Sequence, residues 1–367
     1  MRKERINDKE GFFLITIFVT GSTLIVGIGK DVKNDAWIAG IFGILMSLPM
    51  ILMYSRILSL YQGRDLFDIL EITMGRVAGK AAAALYIWYS LHVGALIIRV
   101  FGEFINTVTM PETPMLVPML FLALCCIISV RNGIEVMART ASFLVPIVIV
   151  LIVMVQLLAI PKLDTSNIKP VLGRGIAPVI MSGFTVFAFP FAETVLMTGT
   201  FFTLKSKKSI YKVYFYGILF AGAIIIFLAA RNIMILGDTR QIFYFPSHLA
   251  LSRVSVGVFL QRIEVAVAFV FIMGVFFKAS VCLFVTCKGL RKLIGLHDYR
   301  SIVIQAGLIM TFLSYGLFDN IIDMQAFEKV YPYYAFPFQV ILPLIVWCLA
   351  ELKARKKKPQ KAVQAAK

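Results

Sequence analysis

Histidine and acidic residues are scarce in this chain. Its three histidines, His92, His248 and His297, lie too far apart to pair on a zinc ion or a haem. Its five cysteines, Cys125, Cys126, Cys282, Cys287 and Cys348, sit in or beside apolar runs. None forms a CxxC, so neither a metal site nor a disulfide framework is indicated. No phosphate-cradling loop, HExxH or GxSxG occurs, and no TVGYG-type ion filter. No cofactor is expected. A membrane enzyme working through two carboxylates stays open, but Glu103, Glu193 and Glu264 have no local spacing that demands one.

Charged residues are only 16% of the 367, while 59% are hydrophobic and the mean hydropathy is +0.86. That composition excludes an ordinary soluble domain and predicts an all-α polytopic membrane protein. At roughly 20 apolar residues per crossing, ten spans are expected: Gly11–Gly29, Ala36–Leu58, Ala81–Val108, Met115–Val130, Val136–Ile160, Ala177–Phe202, Tyr211–Leu236, Val256–Thr286, Ser301–Phe318 and Tyr334–Leu352. The first run lacks a small-residue cleavage site, so it is read as a retained helix. Residues 1–352 form one membrane domain and residues 353–367 a basic tail.

The net charge of +17 has a topological meaning here, not a nucleic-acid one, because the basic residues sit between apolar runs. With both termini inside, the inner segments hold 25 Lys/Arg and the outer segments 10. That bias places both termini in the cytoplasm. The tail, KARKKKPQK from Lys353, is read as a stop-transfer anchor, or as a segment lying on anionic lipid or an acidic partner.

Two spans carry flaws. In span six, Ser182-Gly183 and Phe189-Pro190 precede Glu193. Proline removes a backbone donor and clashes with the preceding turn, so the helix opens there. Freed backbone groups cannot face lipid, and a carboxylate at that depth reads as functional. A plain proline kink is the alternative. In span one, Thr20-Gly21-Ser22-Thr23 interrupts the helix, either as a second break or as a glycine-rich packing face. Interruptions five spans apart predict a 5+5 inverted-repeat transporter fold with discontinuous helices 1 and 6. A small ligand then sits between the breaks. Backbone N–H groups of Ser22, Thr23 and Leu24 would hold its carboxylate. Carbonyls near Thr20 and Phe187–Phe189 would hold its ammonium. Gly21 and Pro190 open the two helices, and Leu96, Phe187 and Phe189 would size the pocket.

Spans three and eight carry buried charge. His92, Arg99, Glu103 and Asn106 fall within roughly 60° around one helix, and Arg99 can pair with Glu103 four residues on. The stripe is either a structural ion pair or part of a gate; His92 is a packing histidine or a proton shuttle. Glu264 and Lys278 share a face of span eight, with Lys278 about 20 Å inward. Lys278 is either a fixed structural cation or a titrating one. Glu193 would tether span six to Lys278 or to the lysine-rich inner ends.

Several short motifs occur in order. They are Asp35-Ala36-Trp37, Arg99 and Glu103 followed by Thr113-Pro114, and Arg131–Arg139 (RNGIEVMAR). Next come Asn167–Pro178 (NIKPVLGRGIAP), then Phe191, Glu193 and Val195 as FxExV, and Phe259–Glu264 (FLQRIE). Over nearly the whole chain this set resembles the B-subunit family of bacterial spore germinant receptors. The resemblance implies a ten-span, LeuT-like fold of the amino acid–polyamine–organocation superfamily. It implies residence in the spore inner membrane, partnership with an A subunit and a lipoprotein C subunit, and binding of a nutrient germinant, commonly an amino acid. Many members read a leucine–proline pair late in span one, where this chain has Ile25-Val26-Gly27-Ile28-Gly29. A proton-coupled amino-acid transporter would use the same site.

Overall fold

With no water in the hydrocarbon to bond the backbone, long apolar runs satisfy their N–H and C=O groups internally and fold as helices. The computed structural model describes residues 4–254 and 264–365, with side chains described to residue 355. The expected start of span eight and most of the FLQRIE motif lie outside the described residues, as do the tail side chains from 356 on. Among the described residues, 7 helical stretches are long and apolar enough to cross a membrane. Three shorter helical segments complete the ten spans.

Span one is α1 (Asp8–Thr20) and α2 (Thr23–Val26); α3 (Ala36–Leu60) is span two. A short α4 (Leu66–Met74) leads to α5 (Arg76–Phe104), span three, which ends in a π turn at Ile105–Thr109. Spans four and five are α6 (Leu116–Asn132) and α7 (Ile134–Ala159). The second half opens with α8 (Ile176–Val186), followed by α9 (Lys207–Leu236) and a short α10 (Pro246–Ser252). Then come α11 (Glu264–Ile294), α12 (Val303–Gly316), and α13 (Ile321–Phe336) with α14 (Leu342–Ala365) as span ten.

Two expectations change. Span ten begins at Ile321, not Tyr334, because α13 runs into α14 through a π turn at Pro337–Ile341. The charges of Asp323, Glu328 and Lys329 lower the hydropathy of a helix that faces polar space. The helix also continues past Lys353, whose Nζ donates to the Ile72 carbonyl at 2.7 Å.

Both breaks are present. Gly21 takes φ 10°, ψ −113° and ends α1. The next helical donors are Ile25 and Val26, both to Ser22 O, so the N–H groups of Ser22, Thr23 and Leu24 precede the first bond of α2. In span six α8 stops at Val186; Phe189 is extended at φ −135°, ψ 117°, and a 3-10 helix follows over Ala192–Gly199. The first break is wedged against α11. A Cβ built on Gly274 would lie 2.7 Å from Gly21 Cα, so the two glycines allow backbone-to-backbone approach.

Around these breaks, α1 packs on α7, α9 and α11, α3 on α8 and α9, and α5 along α11 and α12. The chain start is tied in as well. Asn7 and Glu10 close a capping box with two 2.9 Å bonds, and Ile6 pairs with Leu204, its N–H donating to Thr203 O at 3.3 Å.

Candidate functional site

A cavity of about 700 Å³ enters from the end of the bundle opposite the termini and stops on the span-six break. One face of span six supplies Ser182, Thr185, Phe189 and Glu193, spaced to follow the helix and its extended residue. Across from it, α5 presents an apolar wall of Val93, Leu96, Ile97 and Val100, and α13 adds Phe327, Glu328 and Tyr331. From span one only the stretch from Val26 to Asp31 reaches the space. Ser182 Oγ and Gln241 Nε2 are buried in this wall without a hydrogen-bond partner among the described residues.

The floor is polar underneath. Glu193, on the extended-to-helix junction, accepts a hydrogen bond from the Tyr331 hydroxyl through Oε1. Its Oε2 lies 2.5 Å from Lys278 Nζ, and both side chains are almost wholly excluded from solvent. The Lys278 ammonium also faces the rings of Phe189 at 4.5 Å and Phe18 at 5.4 Å, within the range for cation–π attraction. Lys278 therefore stands where both breaks meet α11, and its charge is balanced by Glu193. Gln339 extends the network. Its Nε2 donates to Tyr89 Oη and to Ala188 O, each at 2.8 Å, joining span ten to span three and to the broken segment.

The mouth is built from loops. Arg240, buried, donates to the carbonyls of Ile28, Gly29 and Lys33 at 2.8–3.0 Å and so fixes the turn after α2. Burial lowers its pKa to about 10. Gly27 and Gly29 take φ of 74° and 60°, which side chains resist. Lys30 Nζ lies 3.4 Å from Glu328 Oε2 and 4.2 Å above the Tyr244 ring. The Tyr244 hydroxyl donates to Glu328 Oε1 at 2.5 Å. Burial lowers the Lys30 pKa more than Glu328 raises it.

Of the residues expected at the site, Leu96, Phe189 and Glu193 line the cavity. Thr20, Gly21, Ser22, Thr23 and Leu24 are buried and are not among its lining residues, and the same holds for Phe187 and Pro190. The hydroxyls of Thr20 and Thr23 bond back to Thr16 O and Val19 O. The carbonyls of Phe187 and Ala188 already accept from Ala192 N–H and Gln339. Arg99 and Glu103 pair at 2.8 Å, as their spacing predicts, and Arg99 also donates to Tyr315 O on α12. Glu264 is the first described residue of α11 and is not among the residues lining the cavity. His92 is buried against Trp88, Phe327 and Tyr334. Sequence reasoning missed Lys30, Tyr244, Glu328, Tyr331 and Gln339. Aromatic hydroxyls and a glutamine inside apolar runs carry no periodic signal. The Asp323, Glu328, Lys329 cluster was the one cue that α13 faces a polar space.

A family model described as spore germination protein matches residues 5–319. Spore germination protein KB of Bacillus subtilis (strain 168) is 30% identical over 373 residues, covering 100% of each chain. Among solved structures, Mhp1, a nucleobase-cation-symport-1 family transporter in a closed conformation with bromovinylhydantoin bound, aligns with TM-score 0.68 at 12% identity. That alignment covers 93% of this chain and 78% of Mhp1. MhsT in complex with L-phenylalanine aligns with TM-score 0.65 at 14% identity, over 92% of this chain and 87% of MhsT. The fold is LeuT-like, a 5+5 inverted repeat whose first and sixth helices are discontinuous.

Proposed function

The chain belongs to the spore germination protein family, and on that premise we propose that it is the germinant-binding and sensing subunit of a germination receptor. The observation that carries this reading is the cavity that ends on the span-six break, with Phe189, Glu193 and Tyr331 at its floor. The ligand is a small amino acid. Its side chain packs between Leu96 and Phe189, and its polar ends meet Ser182 Oγ and the groups around the breaks. The N–H groups of Ser22, Thr23 and Leu24, without a partner among the described residues, take the carboxylate when the floor closes over it. The neutral Lys278–Glu193 pair holds spans six, eight and ten in register, so a ligand that moves Phe189 moves all three. A ligand shifts such an equilibrium only by binding one state better than the other. The receptor lies in the spore inner membrane with both termini in the cytoplasm and acts with its A and C subunits. The 25-to-10 bias in basic residues supports that orientation.

A thermal-stability screen of the purified protein tests the reading. At least one of the twenty amino acids should raise the unfolding midpoint, and Leu96→Trp, which fills the apolar wall, should erase the gain. A panel in which only sugars or nucleosides stabilise the protein would overturn the amino-acid assignment. A second reading, a proton-coupled amino-acid transporter, is favoured by the ionisable Lys278–Glu193 pair directly under the cavity. Uptake of the stabilising amino acid by proteoliposomes holding this chain alone would decide for it.

A further inference from the structure

The cavity is larger than one small amino acid requires. At about 700 Å³ it falls in the upper half of the range of about 300–1,000 Å³ that accommodates drug-sized ligands. Its polar lining includes Glu193 and Tyr331 at the floor, Ser182 and Thr185 along span six, and a mouth set of Lys30, Gln241, Tyr244 and Glu328, beside which Asp31 and Lys329 also line the space.

The mouth set is incompletely satisfied. The 3.4 Å between Lys30 Nζ and Glu328 Oε2 is long beside the 2.7–2.9 Å of a good charge-assisted bond. Gln241, which lines the same space, has a buried Nε2 with no hydrogen-bond partner among the described residues. Glu328 Oε1, by contrast, is firmly held by Tyr244, so one end of the pair is fixed and the other is loose. Lys30 and Glu328 cancel, and Asp31 and Lys329, which also line the mouth, add one charge of each sign. A monovalent anion or cation entering here would leave one of them uncompensated in a half-buried place, which is costly. A molecule carrying both charges on neighbouring atoms can take over the pair with no change in net charge.

We propose that Lys30, Gln241, Tyr244 and Glu328 form a second ligand station at the mouth, which takes the head group of an α-amino acid whatever its side chain. The carboxylate replaces Glu328 on Lys30 and adds Gln241 Nε2. The ammonium takes the Glu328 oxygen that Lys30 gives up, while Tyr244 keeps the other. This rests on reading the cavity as an amino-acid site. Recognition is then split in sequence, with the head group met first at the mouth and the side chain selected against Leu96 and Phe189 once the ligand has moved down to the floor.

Glycine is the probe, since it is a head group and little else. In equilibrium dialysis against the purified full chain, radiolabelled glycine should be retained. Unlabelled L-alanine should displace it, while acetate and methylamine should not. Lys30→Met and Glu328→Gln should each weaken glycine at least tenfold, and Gln241→Leu about threefold, the order of one neutral hydrogen bond. If a lone charge unfolds either single variant, the pair replacement Lys30→Met with Glu328→Leu, which leaves no lone charge, carries the test. Glycine that is not retained, or that binds these variants as it binds the parent, overturns the second station. The two readings fail separately. Loss of glycine retention with an amino-acid hit still present in the thermal screen removes only the mouth station. No amino-acid hit at all removes the cavity assignment beneath it.

Discussion

Glu193 is the residue on which the floor depends. It balances Lys278, accepts from Tyr331 and lies in the 3-10 helix that follows the extended Phe189. Removing one member of a buried ion pair leaves a charge with no counter-charge, at a cost of about 3–5 kcal/mol. Glu193→Gln should therefore lower the unfolding midpoint sharply. Glu193→Gln combined with Lys278→Met should regain much of that loss, because two apolar or neutral side chains of similar volume are cheaper than one stranded ammonium. Thermal unfolding of the three purified proteins checks this. A Glu193→Gln protein as stable as the parent would mean that the pair does not hold the floor together.

At the scale of elements, the α1–α11 crossing sets how far the first span can open. Its contact is Gly21 against Gly274, where a Cβ on Gly274 would press on backbone atoms, with no flexible side-chain tip to yield. Gly274→Ala should destabilise the protein by about 1–3 kcal/mol, as overpacking does, whereas alanine at Gly316, which has open space around it, should not. Comparing the two unfolding midpoints checks it. This crossing also marks what was legible beforehand. Both breaks, at Thr20–Thr23 and Phe189–Glu193, were visible because glycine and proline act through backbone geometry, which any context obeys. The Arg99–Glu103 pair followed from their spacing, and Lys278 was one of two partners weighed for Glu193, because charges need a counterpart in an apolar medium. The mouth was not legible. Lys30 and Glu328 are 298 residues apart and belong to a loop and to a helix whose charges disguise it as a loop. Where the cavity meets span one was not legible for a related reason. The free N–H groups of α2 exist, but Arg240 folds the following turn so that the cavity meets span one from Val26 on.

For the whole molecule, orientation is the property that charge predicts most directly. The ion pairs Lys292 with Asp68 and Glu71, and Arg56 with Glu351, cluster at the end that holds the termini. The cavity opens at the other end. In a cysteine-free background, cysteine at Lys33 should react with an impermeant thiol reagent on intact cells, and cysteine at Lys207 only after permeabilisation. The reverse pattern would turn the cavity toward the cytoplasm.

The pairing of Ile6 with Leu204 has a consequence for relay. The residues after the 3-10 segment of span six are stitched to the first buried residue among those described, and the stitch sits at the face where α4, α14 and their ion pairs gather. Any shift of that lower half-helix must either drag the amino-terminal stretch with it or snap the Ile6 N–H to Thr203 O bond. Motion started at the cavity end would thus surface as a rearranged stretch around Ile6 at the opposite end of the bundle.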